Sequence, residues 1–334
     1  MTKRERVIKA LNHEETDIVP YHVDCTEQAL DILKAYTKLE DPLGEYGCHL
    51  HYVQYWNYPT ELADKPEHYK DGFGVTWNRS GADKDIGLSD TIIDEPDMDL
   101  YPIPELPEAR IRAEVEELIR TKGDRFTFAG IGFSMFERLW SYCGMENAMV
   151  WMITDEEFID ELLDKILEHN LKVIDIYNEY DLDGFYFGDD WGQQKGLIMG
   201  PVYWRRFIKP RMAKMYERAK KNGKFILQHS CGDCSEILED LVEIGLNCYQ
   251  TFQPEVYDIV SIKETIGNRL AFWGGISTQQ SLPYIKPEEV AVEADRVKNV
   301  LAKNGGYIWA PTHAIEFDVP AENLVALLEH FRNQ

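Results

Sequence analysis

The chain has 334 residues, long enough for one barrel-sized domain or two ordinary ones. Hydrophobic residues at 44% and charged ones at 28% are the balance of a globular enzyme and exclude a disordered or fibrous chain. Lys and Arg number 35 against 59 Asp and Glu, and a net charge of −24 repels nucleic acid and anionic membranes, so neither is expected as a partner.

From the amino end, Thr2-Lys3-Arg4-Glu5 fits a capping box, with Val7, Ile8 and Leu11 as the apolar stripe of a first helix. This opening is charged, with no apolar signal segment behind it, and no run in the chain approaches the ~20 apolar residues of a membrane span. A cytoplasmic location follows as the expectation, with the six cysteines reduced. Asp17 to Asp24 reads as a short strand ending in polar groups, and residues 41–105 read as an irregular, aromatic and Pro-rich cap or insertion. A helix over about 107–122 and a strand over 126–131 come next. Then the pattern alternates. Helices are predicted at about 155–180, 202–222 (kinked near Pro210), 235–244, 256–266 and 287–303. Strands are predicted at 183–188, 224–230, 246–252, 270–275 and 306–311, with Gly223, Gly245, Gly267 and Gly305 where helices should stop. Repeated strand–helix units mean a parallel sheet. No Gly-x-Gly-x-x-Gly opens a helix, so a dinucleotide-binding half has no support. Eight units closing into an α/β (β/α)8 TIM barrel fit the length, as one domain over 1–334 with a helical and irregular N-terminal extension. The 41–105 segment is expected beside the barrel mouth.

Polar residues cluster where strands end, the face on which barrel active sites sit. In His229-Ser230-Cys231-Gly232-Asp233 the two-residue period of a strand puts an imidazole and a thiol on one face, a ligand pair that zinc prefers. His313, just past the last predicted strand, would join them on the same rim and leave a fourth position open. A hydrogen-bonded structural role remains the alternative for each histidine. Cys234 reads as packing, although Cys231-Gly232-Asp233-Cys234 has the spacing of a redox motif. Asp189 and Asp190 lie on a glycine-flanked turn, either as a proton shuttle and an acceptor orienting a metal-bound histidine, or as a solvated helix cap. Glu137 follows its strand in the same way and is a further candidate acid. Tyr52, Trp56 and Trp77 are candidates for an aromatic wall around an apolar substrate, with core packing as the alternative; Trp191 and Gln250, at strand ends, are further candidate substrate contacts.

Taken in order, several segments resemble the uroporphyrinogen decarboxylase family over essentially the whole chain. They are Thr2 to Glu14 with Asp17-Ile18-Val19-Pro20, Phe136-Glu137-Arg138, Gly188-Asp189-Asp190-Trp191-Gly192, His229-Ser230-Cys231-Gly232 and Pro320-Ala321-Glu322-Asn323. The resemblance implies a TIM barrel. True decarboxylases of the family grip substrate carboxylates with an Arg-rich loop after the first strand; here that place, His22 to Gln28, has no arginine. The other branch, zinc-dependent methyltransferases that act with a corrinoid protein, carries His-x-Cys and a later Cys. His229 and Cys231 match, and the later Cys falls on His313. That resemblance implies Zn2+ as cofactor, a corrinoid (cobalamin) on a separate partner protein, and a small methylated or methoxylated compound or thiol as methyl donor or acceptor. A decarboxylase of tetrapyrrole biosynthesis and a non-catalytic barrel binding a tetrapyrrole or corrinoid are the rival expectations. Oligomeric state, a homodimer included, is not fixed by the sequence.

Overall fold

Seven parallel strands curl into one sheet in chain order: β1 Leu50–Tyr55, β2 Phe126–Ile131, β3 Gly184–Gly188, β4 Phe225–His229, β5 Cys248–Thr251, β6 Ala271–Ile276 and β7 Tyr307–Pro311. The structure is a computed structural model that describes residues 1–81, 87–90 and 92–334. The gap between β7 and β1 is filled by the extended segment around Tyr21, which bridges in parallel to Trp309 and again from Cys25 to Ile315. The Trp309 N–H donates to the Pro20 carbonyl, the His22 N–H to the Trp309 carbonyl and, on the other side, the His49 N–H to the Tyr21 carbonyl. The result is the expected (β/α)8 barrel, with its first stave reduced from the predicted strand to isolated bridges.

Alternation along the strands decides what fills the barrel. Leu50, Phe126, Phe128, Leu227, Ala271, Trp273, Ile308 and Ala310 point inward and pack together. Helix α1, Lys3–Leu11, closes the amino end by laying Val7 and Leu11 on that cluster. Its capping box is as expected: the Glu5 N–H donates to Thr2 Oγ1 at 3.1 Å and the Thr2 N–H to Glu5 at 2.7 Å. The alternate residues of the barrel strands, such as Phe185, Phe187, Ile226, Phe272 and Trp309, face the surrounding helices.

Two expectations are corrected here. Residues 41–105 are not irregular throughout, for they contain barrel strand β1 and an antiparallel sheet of Thr60–Leu62, Lys65–Lys70, Thr76–Asn78 and Leu88–Ser89. This small sheet joins the helix Phe136–Cys143, just past the carboxyl end of β2, through a fully buried ion pair between Asp71 and Arg138 at 2.7 Å. The helix expected to kink at Pro210 is disturbed before that residue. Trp204–Ile208 forms a π-helical stretch between Gly200–Tyr203 and Lys209–Ala219, in keeping with the backbone donor that Pro210 lacks. The six thiols are unpaired, and no helix among the described residues is long and apolar enough to cross a membrane.

Candidate active site

The carboxyl end of the barrel begins one layer above the aromatic floor. Tyr52 stacks on Phe128 with centroids 4.6 Å apart, and Tyr186 and Trp273 lie beside them. Over this floor, His229 ends β4 and pairs in register with Gly188 of β3 and Gln250 of β5. Cys231 stands two residues on, so the strand period places both side chains on one face. His313, past β7, reaches the same spot: its ring centroid is 5.5 Å from that of His229. One donor atom from each of His229, Cys231 and His313 lies within 4.8 Å of the others, and His229 Nε2 is 3.6 Å from Cys231 Sγ.

Bonds of ~2.0–2.3 Å give a tetrahedral zinc site edges of about 3.4–3.6 Å. The His229–Cys231 pair already has that spacing, and His313 needs to close in by roughly 1 Å. The donors are two imidazoles and a thiol, all half-buried, a set that suits zinc. The surroundings also prepare His229 for such a role. Gln250 Nε2 faces the carbonyl of Thr312, which can only accept, and Tyr186 donates to Gln250 Oε1 at 3.2 Å. Oε1 therefore faces His229 Nδ1, which donates to it, and Nε2 is the nitrogen turned toward Cys231. Gln250, expected to touch substrate, instead orients a candidate ligand.

The adjacent acids part company. Asp190 is inward: Oδ1 accepts the Cys231 N–H at 2.7 Å and lies 3.4 Å from His229 Nε2. Burial works against its charge, but the hydrogen bond to His229 prevails and holds its pKa below the usual value. Asp189 points the other way and is fully buried. It accepts the N–H groups of Met135, Phe136 and Glu137 at 2.9–3.1 Å, capping the helix Phe136–Cys143, and also the indole N–H of Trp191. With its oxygens occupied and no path to the mouth, Asp189 is not a proton shuttle, which corrects that expectation. Burial pushes it up to about 6 against the pull of those donors.

Glu137 is brought beside Asp190. Burial, then the negative charges of Asp190 and Asp189, push its carboxyl well above the ordinary range, which favours its protonated form. Burial and Asp190 likewise hold the Cys231 thiol up, while burial and the neighbouring His229 lower His313 toward a neutral imidazole.

Two glycines make the approach of the two loops possible. A Cβ on Gly192 would lie 2.6 Å from the Cys231 carbonyl oxygen, and one on Gly232 (φ 74°) 2.3 Å from the Gly192 carbonyl carbon. The turn bearing Asp190 and the turn bearing Cys231 thus touch backbone to backbone. Cys234 is buried against Ser230 Oγ at 3.3 Å and acts as packing, as expected.

Of the aromatic wall, Tyr52 lies inside the barrel and Trp56 sits at the rim, 44% exposed. Trp77 and Trp191 are corrections. Trp77 is in the core of the small sheet, its indole N–H on Asp71 and its ring against Phe133 and Trp140. Trp191 is wholly buried, packed on Trp204. One polar group escaped the sequence reading. Asp24, inside the first stave, accepts from the Tyr52 hydroxyl at 2.7 Å and from His22 at 3.0 Å. Burial opposes charge on His22, but Asp24 outweighs it and the histidine is raised to about 10. The alternation His22, Asp24 was the available signal, since both fall on one face.

The carboxyl mouth of the barrel thus brings together a histidine–cysteine–histidine cluster that could hold a metal ion and a carboxylic acid of raised pKa. The sequence pattern described as uroporphyrinogen decarboxylase (URO-D) matches residues 74–334, and the chain belongs to that family. It is 26% identical over 190 residues to a methylated-thiol–coenzyme M methyltransferase of Methanosarcina mazei, an alignment covering 55% of this chain and 47% of that protein. The chain thus matches about half the length of that curated relative. A solved structure described as a methyltransferase from Methanosarcina mazei superposes over 100% of this chain and 99% of its own, with a TM-score of 0.75 at 20% identity, and shares the fold.

Proposed function

We propose that this chain is a zinc-dependent methyltransferase of the cytoplasm that moves a methyl group from a small methylated compound, a methyl ether in the first place, to a corrinoid carried by a separate protein. The observation that carries this reading is the cluster of His229, Cys231 and His313 on one rim, with Glu137, its pKa raised by burial and the neighbouring acids, beside Asp190. Zinc held by those three residues would supply a Lewis acid that draws charge from a substrate oxygen or sulfur. A reduced corrinoid on its own protein would supply the electron pair that receives the methyl group.

The chain's own residues account for the rest. Gln250 holds His229 with Nε2 toward the substrate side. Asp190 stays ionised and fixes the backbone of Cys231. When the O–CH3 bond breaks, its electrons stay on oxygen, and Glu137 delivers the proton that makes the leaving group an alcohol. A methylated thiol, whose sulfur is a weaker base, has less use for a buried acid; Glu137 therefore favours the ether. The methyl donor named for the curated relative is a methylated thiol, and that chemistry is the second reading.

A porphyrinogen decarboxylase would need cations to hold substrate carboxylates. At the first stave, where the family's arginines would lie, this chain offers Asp24. Metal analysis of freshly purified protein and a methyl-transfer assay with a corrinoid protein test the proposal. Zinc near one per chain and corrinoid-dependent turnover are expected. Turnover of a methylated compound with no corrinoid present, or the absence of bound zinc, would overturn it.

A further inference from the structure

The turn that carries Cys231 is held from outside itself. From Ser230 to Cys234, each consecutive N–H group donates to a partner in another segment. Ser230 donates to the Gln250 carbonyl at 2.8 Å, Cys231 to Asp190 at 2.7 Å and Gly232 to Gln253 Oε1 at 2.7 Å. Asp233 donates to the Gln193 carbonyl at 2.8 Å and Cys234 to the Tyr257 hydroxyl at 2.8 Å. Two of these partners come from the turn after β3, and three from β5 and the turn that follows it.

The carbonyl side repeats the pattern. The Tyr249 hydroxyl donates to the Ser230 carbonyl at 2.9 Å, and the Tyr257 hydroxyl to the Gly232 carbonyl at 2.8 Å. Tyr257 therefore spans the turn, donating on one side of Asp233 and accepting on the other. The phenol is buried, and its ring is fixed by stacking on Phe252 with centroids 5.1 Å apart. Gly232 is in the left-handed region at φ 74°, where a glycine has wide conformational freedom. A turn of that kind keeps one shape only if something else specifies it, and here a phenol and an amide do so.

Residues 249–257 supply none of the clustered donors His229, Cys231 and His313, yet they bear on two of them. Gln250 turns the His229 ring, while Gln253 and Tyr257 fix the backbone just beyond Cys231. Resting on the metal-site reading above, we propose that Tyr257 is a positioning residue for Cys231. Its hydroxyl, with Gln253, holds the 231–234 turn in ligand geometry before a metal arrives, so that the His229–Cys231 spacing of 3.6 Å belongs to the metal-free chain.

Cobalt(II) in place of zinc, added to the full chain, tests this, because a thiolate-to-cobalt charge-transfer band reports the bond to Cys231 directly. Tyr257→Phe removes the hydroxyl and keeps the ring on Phe252; Gln253→Leu removes the other side-chain partner and serves if the first variant does not fold. Leu11→Ala, which opens a cavity at the amino end of the barrel, is the control for destabilisation alone. We expect Tyr257→Phe to bind Co2+ about tenfold more weakly than the wild type, with a weaker charge-transfer band. In the metal-free variant the amides of Gly232 and Cys234 should exchange about tenfold faster, as the loss of a buried hydrogen bond implies. Leu11→Ala should keep the native cobalt affinity and band. Native affinity and spectrum in both Tyr257→Phe and Gln253→Leu, or an equal spectral change in Leu11→Ala, would overturn the inference. A wild type that binds no cobalt would sink the metal reading instead. Faster exchange at Gly232 and Cys234 in Tyr257→Phe would then leave the turn's template standing, and unchanged exchange would end that too.

Discussion

The two ends of this barrel are made by the same strands and serve opposite purposes. At the amino end the inward positions are Leu50, Phe126, Phe128 and Leu227, sealed by Val7 and Leu11. Two to four residues further along the same strands the inward positions become Gln54, Gly130 and His229. Nothing in the backbone changes between them. Side-chain choice alone turns a packed core into an open polar mouth, and a substitution should act on stability at one end and on chemistry at the other.

The largest effect expected at the mouth is from Cys231→Ser. It should lose the metal and at least a thousandfold of methyl transfer, while unfolding free energy in urea moves by no more than about 1 kcal/mol. A collapse of the fold instead would erase the distinction between the two ends. Phe128→Ala makes the converse change. Removing a fully buried ring from the inner cluster should cost about 3–5 kcal/mol in the same titration and leave zinc content at native levels in the molecules that remain folded.

Gln250→Leu sharpens the boundary, because it touches no metal. Without the amide that receives His229 Nδ1–H, zinc affinity should fall about 10–100-fold in a competition with a chelator, with stability nearly unchanged. Wild-type affinity in that variant would mean that the register pairing of His229 and Gln250 has no bearing on the site.

The smallest effect concerns acid and belongs to the amino end. His49 is buried at the start of β1, its ring 4.5 Å from that of Tyr21, and neither ring nitrogen has a hydrogen-bond partner. Burial, then the positive charges of Arg6 and Lys3, lower its pKa to about 3. The unfolded chain takes up this proton near pH 6.5 and the folded one only near pH 3, so stability falls as pH drops through that window. The loss should reach about 2.7 kcal/mol by pH 4.5, and His49→Phe should remove it. An acid limb of unchanged slope in His49→Phe would show that the titration lies elsewhere.

Much of the mouth was legible in the sequence because it obeys the two-residue period. His229 and Cys231 share a face, and His313 follows the last stave on the same rim. The same rule separates Asp189 from Asp190, since neighbours in a strand point to opposite sides; read as a pair, they hid that one is a helix cap. The tryptophans were not legible, because an indole in a loop shows no period. Only tertiary contact tells that Trp77 and Trp191 are buried while Trp56 meets solvent. Strand β1 escaped for a related reason. Leu-His-Tyr-Val-Gln-Tyr is short, aromatic and polar by turns, and its inward residues contribute to the site as well as to the core. The depression of His49 and the elevation of Glu137 depend on what surrounds them in space, and no local pattern announces either.

The first stave has one consequence of its own. The cylinder is closed by a segment that holds β7 through isolated bridges and β1 through the His49 N–H, so it has a seam. The partners at that seam, Tyr21 and Trp309, lie near opposite ends of the chain, and closing so long a loop is entropically slow. Such a joint zips last and frays first. Amide exchange at His22 and Thr26 should therefore run ahead of exchange in β3 and β4. Because His22 and Asp24 ride on this thin stave, each opening of the seam would also unmake one wall of the mouth, tying the lifetime of the site to the weakest line in the sheet.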